Sequence, residues 1–159
     1  MKSSWSAIKT IAVNRKAFHD YEILDKIEAG IALAGTEVKS IRAGQVTLKD
    51  SFVEIQNQEA FLLRCHITPY LNASFFNHEP ERKRKLLLNK REIHRLDQKV
   101  KERGFSIIPL QVYLTPKGIV KIEIALARGK RAYEKKQKLK ERDIKREMDR
   151  DVQRFKNKK

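Results

Sequence analysis

Two apolar runs joined by a tight turn constrain this chain most. Ser106 to Leu114 and Ile119 to Leu126 flank Thr115-Pro116-Lys117-Gly118, with Pro at the second turn position and Gly at the fourth. In the second run Ile122, Ile124 and Leu126 alternate with Lys121, Glu123 and Ala125. That period of two marks an antiparallel strand with one buried face. Pro109 falls inside the first run, and Pro cannot donate to a strand ladder, so a bulge or free edge is expected there.

Other segments extend the pattern. Tyr21, Ile23 and Ile27 share one face of an extended segment, with Glu22, Leu24 and Lys26 on the other. Leu48 to Ile55 and Ala60 to Ile67 read as strands joined at Gln56-Asn57-Gln58-Glu59, where Asn57 tolerates left-handed backbone. Gly30 and Gly35 punctuate the stretch before a short helix, with Thr36 as its cap and Glu37 in its first turn. Val38 and Ile41 give that helix an inner face, and Gly44 ends it. A second helix begins at Asn89 with Glu92 three residues on, as in a capping box, and Leu88 and Ile93 in the staple positions. Ile93, Leu96 and Val100 line its inner face and Gly104 ends it, between the fourth and fifth expected strands. Short antiparallel strands with packing helices predict a mainly β fold with α elements, a small OB-like barrel.

Charge divides the chain. Its 159 residues hold 36 Lys or Arg against 20 Asp or Glu, a net charge of +16. Such an excess repels itself in a compact fold and points to a polyanion, with nucleic acid ahead of a membrane surface. No apolar run approaches the roughly 20 residues needed to span a bilayer. Met1 to Thr10 lacks the apolar core of a signal peptide. The single cysteine, Cys65, excludes a disulfide framework and reads as a plain buried thiol. A cytoplasmic location follows as the expectation. From Arg128 to Lys159 there are 15 Lys or Arg against 6 Asp or Glu, so this stretch carries +9 of the +16. The chain therefore divides into a body, residues 1–127, and a basic tail, residues 128–159.

The tail favours helix, with Glu134→Lys138 and Glu141→Lys145 as well-oriented pairs. Tyr133, Ile144, Met148, Val152 and Phe155 form a stripe too sparse to dock firmly. Helix nucleation is costly and like charges oppose it, so the tail is expected to be disordered when free and helical against RNA.

Three motifs carry the chemistry. Asn14-Arg15-Lys16-Ala17-Phe18-His19-Asp20-Tyr21 mixes cations, a histidine and aromatics, which suits phosphates and stacked bases. The plainer reading places Phe18 and Tyr21 in a core. Asn77 to Lys85 contains the run Arg82-Lys83-Arg84-Lys85, suited to phosphate or simply solvated. Glu28, beside Ala29-Gly30, can accept hydrogen bonds from base or sugar donors, or be an ordinary surface charge. An enzyme is not expected. His19, His66, His78 and His94 are dispersed, and no Gly-rich phosphate loop, His-Glu-x-x-His motif or Ser elbow occurs.

Together these blocks resemble the tmRNA-binding small protein B family, also called SsrA-binding protein. The resemblance runs from about Asn14 to Arg150. It rests on Asn14-Arg15-Lys16-Ala17, His19-Asp20-Tyr21, Glu28-Ala29-Gly30-Ile31, Gly35-Thr36-Glu37-Val38-Lys39-Ser40 and Arg42-Ala43-Gly44. It continues through Asp50-Ser51-Phe52, His66-Ile67-Thr68-Pro69-Tyr70, Arg84-Lys85-Leu86-Leu87-Leu88, Pro109-Leu110 and Leu126-Ala127-Arg128-Gly129-Lys130. One block is weak; the ordered series is specific.

The resemblance implies an OB-like barrel that binds the tRNA-like domain of tmRNA, and a tail that probes the empty mRNA channel of a stalled ribosome. The implied tmRNA face comprises Asn14, Arg15, Lys16, His19, Tyr21, Glu28, Arg84, Lys85, Leu87 and Lys121. The implied contacts to small-subunit rRNA, at the decoding centre and mRNA channel, comprise Arg128, Gly129, Lys130, Arg131, Tyr133, Lys135, Lys136 and Arg142. It implies a monomer with no cofactor, no metal, no membrane partner and no reaction of its own. Many family members have Asp-Lys-Arg where this chain has Glu134-Lys135-Lys136, so the planar fork of Arg is absent at Lys136. The competing readings are another basic rRNA-binding barrel, which would not prefer tmRNA, and a nuclease, which would cleave RNA.

Overall fold

The computed structural model describes residues 8–73, 76–102, 104–130 and 132–157, with side chains left out at 132–141 and 155–157. The chain separates into a unit ending at Gly129 and a second running from Lys130. The first unit holds β1 (Lys9–Val13), α1 (Arg15–Asp20), β2 (Tyr21–Ile31), α2 (Gly35–Arg42), β3 (Val46–Thr47), β4 (Phe52–Gln56) and β5 (Glu59–Leu63). It continues with β6 (His66–Ile67), β7 (Arg84–Leu87), α3 (Lys90–Lys101), β8 (Phe105–Leu114) and β9 (Val120–Gly129). The second unit is α4 (Ala132–Asn157).

The sheet closes on itself. Its strands follow the order β1-β8-β4-β5-β7-β2-β9, and β9 returns to pair with β8. Six strands therefore form a ring, with β1 laid along the outside edge of β8, and every pairing is antiparallel. This is the expected mainly β, OB-like barrel with packing helices. Two small elements, β3 and β6, pair separately.

Alternation along β9 fills the ring. Val120, Ile122, Ile124 and Leu126 point inward and meet Leu62, Leu86, Leu96, Ile107 and Val112 in the main core. The hairpin of β8 and β9 forms as expected, with Gly118 N–H donating to Thr115 O at 2.8 Å. The expected irregularity at Pro109 is a bulge, since the β8–β9 register shifts between Pro109 and Gln111. The shift lets Ile108 and Leu110 join Ala125 and Ala127 in a second cluster, roofed by Ala17 of α1.

Several boundaries depart from expectation. The β4–β5 turn is tighter than the four residues expected, and both Asn57 (φ 49°) and Gln58 (φ 62°) are left-handed. The expected cap of α2 was Thr36; the helix instead starts at Gly35 with Ala34 as cap, and Ala34 N–H donates to Glu37 Oε1 at 2.8 Å. In α3 only half of the expected box forms, Asn89 N–H donating to Glu92 Oε2 at 3.3 Å. Ile93 and Leu96 are buried as expected, whereas Val100 is 38% exposed. Four elements were not anticipated: β1, α1, β3 and β7. The run ending in β7 read as a loop because its four cations masked a period-two strand.

Candidate nucleic-acid interface

The register of the barrel builds one outward-facing row from distant parts of the sequence. Thr10 pairs with Tyr113, Tyr113 with Lys121, Lys121 with Gly30, and Gly30 with Leu87. The adjacent outward row sets Gln111 against Glu123 and Glu123 against Glu28. Three predicted contact residues, Glu28, Leu87 and Lys121, thus share one patch although 93 residues of sequence separate the first and last. Gly30 keeps this surface low, because a Cβ there would come 3.2 Å from Leu87 Cβ. Leu87 itself is 57% exposed, an apolar surface beside a cation and a carboxylate. The Tyr113 hydroxyl donates to Glu28 Oε2. Burial and then the Glu28 carboxylate push the Tyr113 phenol well above its ordinary pKa, so it stays protonated and acts as a donor.

A second group lies at the opposite end of β2. Tyr21 pairs with Gly129, so α1 sits where β9 ends. Tyr21 and Glu28 are seven steps apart on one strand, about 23 Å at a strand rise of ~3.3 Å per residue. On α1, Arg15, Lys16, Phe18 and His19 are exposed. His19 Nδ1 lies 3.0 Å from Asp20 Oδ1, Lys16 Nζ lies 3.2 Å from Asp50 Oδ1, and Lys26 Nζ sits 5.9 Å from the Phe18 ring centroid. Asn14, Lys16, Asp20 and Tyr21 line an open cleft of about 550 Å³ with Asp50 and Arg64. The predicted tmRNA face is therefore two clusters rather than one.

Two predicted contact residues are corrected. Asn14 is buried and both ends of its side chain are in use: Oδ1 accepts from Ala17 N–H at 3.3 Å and Nδ2 donates to Pro109 O at 2.9 Å. It caps α1 and pins it to the bulge. Arg84 is fully buried, because alternation along β7 turns it inward. Its guanidinium pairs with Glu37 Oε2 and donates to Cys65 O at 2.7 Å and Pro80 O at 3.2 Å. Arg82 adds a contact to Glu37 Oε1 at 2.5 Å. Burial raises the Glu37 pKa, but Arg82, the Ala34 N–H and Arg84 outweigh it and hold the carboxyl below its ordinary value. Lys85 points outward to Glu59 at 3.3 Å, and Lys83 lies 4.0 Å from the Phe61 ring centroid. The four-cation run is thus largely occupied within the protein.

Among the described residues no group of three or more His, Cys, Asp or Glu is placed to hold a metal ion. Among them, too, no helix is long and apolar enough to cross a membrane. Cys65 is buried, which pushes its thiol up to about 11. His78 is buried within the protein: its Nε2 donates to Ile67 O at 2.8 Å, since a carbonyl only accepts, and its Nδ1 lies 2.9 Å from the Thr36 hydroxyl.

Comparison with known proteins bears on this arrangement. The SmpB protein family profile matches residues 11–154. The chain belongs to the SmpB family. SsrA-binding proteins of Symbiobacterium thermophilum and Sulfurihydrogenibium sp. are 53% and 57% identical over 148 and 141 residues. Those matches cover 93% and 89% of this chain, and 94% and 92% of the relatives. A solved structure described as "tmRNA-SmpB: a journey to the center of the bacterial ribosome" superposes with a TM-score of 0.65 at 49% identity, over 81% of this chain and 88% of that one.

For this SmpB-family chain, the tail begins at the end of β9, where Arg128 pairs with Glu22 at 2.6 Å and is exposed together with Gly129. Lys130 follows, half-buried. Arg131 lies outside the described residues, and Tyr133, Lys135 and Lys136 lie on α4 with their side chains outside the description. Arg142 is exposed, as are Ile144, Met148 and Val152 of the apolar stripe. Sequence reading did not single out Tyr113 or Glu123 for this patch. Their only signal was their place in the ladder, which needs the register between β8, β9 and β2.

Proposed function

We propose that this protein binds the tRNA-like domain of tmRNA and delivers it to stalled ribosomes for trans-translation. The carrying observation is its identity of more than half to SsrA-binding proteins across nearly their whole length. The patch of Glu28, Leu87 and Lys121 supports the reading. It combines an acceptor for base or sugar donors, an apolar contact surface and a cation for phosphate. Arg15, Lys16, His19 and Tyr21 form the second contact group, and Lys85 stands on the strand that carries Leu87. The barrel takes the place of a missing anticodon arm. The tail, from Arg128 through Arg131, Tyr133, Lys135, Lys136 and Arg142, follows the empty mRNA channel as a helix, and Tyr133 stacks on an exposed rRNA base. The protein works as a cytoplasmic monomer and acts by binding, without making or breaking a bond.

Pull-down of the full chain from bacterial lysate, followed by RNA sequencing, tests the central statement. tmRNA is expected to dominate the recovered RNA; rRNA in its place overturns the reading. Truncation after Arg131 is expected to leave tmRNA binding intact and abolish tagging of stalled chains in a reconstituted assay. Normal tagging by the truncated protein removes the assigned role of the tail.

A further inference from the structure

Strand β2 places three acids outside the core along its length, and they are treated differently. Glu22 pairs with Arg128 at 2.6 Å and Asp25 with Arg95 at 2.8 Å. Glu28, further along, has no ion pair among the described residues. Its ladder partner is a second acid, Glu123, and like charges directly opposite one another destabilise a sheet. In a chain of net charge +16 that pairing leaves a local negative spot on a basic molecule. What Glu28 does receive is the Tyr113 hydroxyl on Oε2. The phenol comes from β8, two strands away across β9, and its ring is 8% exposed. The donor is thus rigid and the acceptor long and exposed, so the bond fixes Glu28 rather than Tyr113.

We propose that Tyr113 is a positioning residue for RNA recognition: it holds the Glu28 carboxylate in one orientation, with Oε1 presented to the N–H or hydroxyl donors of an RNA base or ribose above Gly30 and Leu87. The inference deepens the tmRNA reading and rests on it. A salt bridge would have fixed Glu28 equally well but cancelled its charge. A phenol fixes it while leaving the charge on the carboxylate, and charge-assisted hydrogen bonds are the stronger class. An unfixed Glu would lose rotamer freedom on binding, so fixing it beforehand strengthens binding without adding a contact. The low backbone at Gly30 and the exposed Leu87 side chain supply the floor on which a base or sugar can rest against that oxygen.

The test measures affinity of the full chain for the tRNA-like domain of tmRNA, for the parent, Tyr113→Phe, Glu28→Ala and the double variant. Phe preserves the ring and removes only the donor. Tyr113→Phe is expected to weaken binding about tenfold, and to add less than twofold when Glu28 is already Ala. The slope of log K against log salt should stay at the parent value, since no phosphate contact is lost. Glu28→Gln, which keeps a partner for the phenol but removes the charge, should bind as weakly as Glu28→Ala. Parental affinity in Tyr113→Phe overturns the proposal, as does an equal loss with and without Glu28, which would mark a merely structural role. If Tyr113→Phe proves too unstable to assay, Glu28→Gln decides: parental affinity there overturns the proposal. A parent protein that does not prefer tmRNA to tRNA overturns the functional reading itself, a result distinct from the other three.

Discussion

The residue with the heaviest structural duty is Glu37, a charge buried at the junction of α2, β7 and the segment before it. It is fully buried, as is Arg84, and Arg82 closes the other carboxylate oxygen. Removing one side of such a pair strands a buried charge and costs ~3–5 kcal/mol. Glu37→Ala is therefore expected to lower the unfolding free energy by roughly that amount in urea titrations, with tmRNA affinity falling only through loss of folded protein. The depressed Glu37 pKa sets the sign of the pH response. Its stabilisation is complete above the unfolded carboxyl value, about 4.3, and is lost as pH falls through the lower folded value. Glu37→Gln should therefore flatten the acid limb of a stability–pH curve below about pH 4 while costing stability at neutral pH. Sequence reading saw Glu37 only as a helix-start acid and Arg84 only as part of a basic run. Inward and outward positions on β7 are told apart by its strand neighbours, which sequence spacing cannot supply.

Among the elements, those with strong local signals were legible and those stabilised by distant partners were not. The β8–β9 hairpin, α2 and α3 announced themselves through turn residues, first-turn acids and helical periodicity. By contrast α1 has only six residues and is held by Asn14 reaching Leu110 and Pro109 across the fold. The β4–β5 turn needs two left-handed residues, and Gln58 fills one without the freedom of glycine. Left-handed backbone costs a non-glycine residue about 1 kcal/mol. Gln58→Gly should raise stability by ~0.5–1 kcal/mol, seen as a higher denaturant midpoint with unchanged slope. In α3, Glu92 rather than the Asn89 side chain makes the observed cap contact, so Glu92→Ala should cost about 0.5–1 kcal/mol and exceed the cost of Asn89→Ala. For α4, the exposed stripe of Ile144, Met148 and Val152 offers little packing within the helix itself. A peptide of residues 130–159 should show circular dichroism well short of full helix in low-salt water, rising on addition of RNA. Full helix without RNA would remove the proposed coupling of folding to binding.

For the whole molecule, the barrel and the tail divide the charge. Residues 128–159 carry +9 of the +16, so a body ending at Gly129 should show a shallower slope of log K against log salt for RNA than the full chain. Equal slopes would place all phosphate contacts on the barrel. The same scale explains what the sequence concealed of the interface. The motif blocks pointed to the proposed contact residues, but as one continuous face. The ring separates them to the two ends of β2, because Tyr21 aligns with Gly129 while Gly30 aligns with Lys121 and Leu87. Closure also explains the misplaced members: Asn14 and Arg84 are conspicuous polar residues whose partners are the protein's own backbone and Glu37.

Strand β9 has one more consequence. Lys121 stands at its start and Gly129 at its end, eight steps or about 26 Å apart at ~3.3 Å per residue. Both neighbours of β9 pair with it along nearly this whole length, each through one bulge, so an insertion or deletion in β9 shifts two ladders at once. The strand is therefore a ruler of fixed length between Lys121, in the proposed RNA-binding patch, and the root of the tail. Any adjustment of reach has to be made beyond Gly129. Inserting Gly-Ser pairs at that point should leave tmRNA affinity unchanged and reduce tagging in steps with each added pair, a length series that reads the ruler's far end directly.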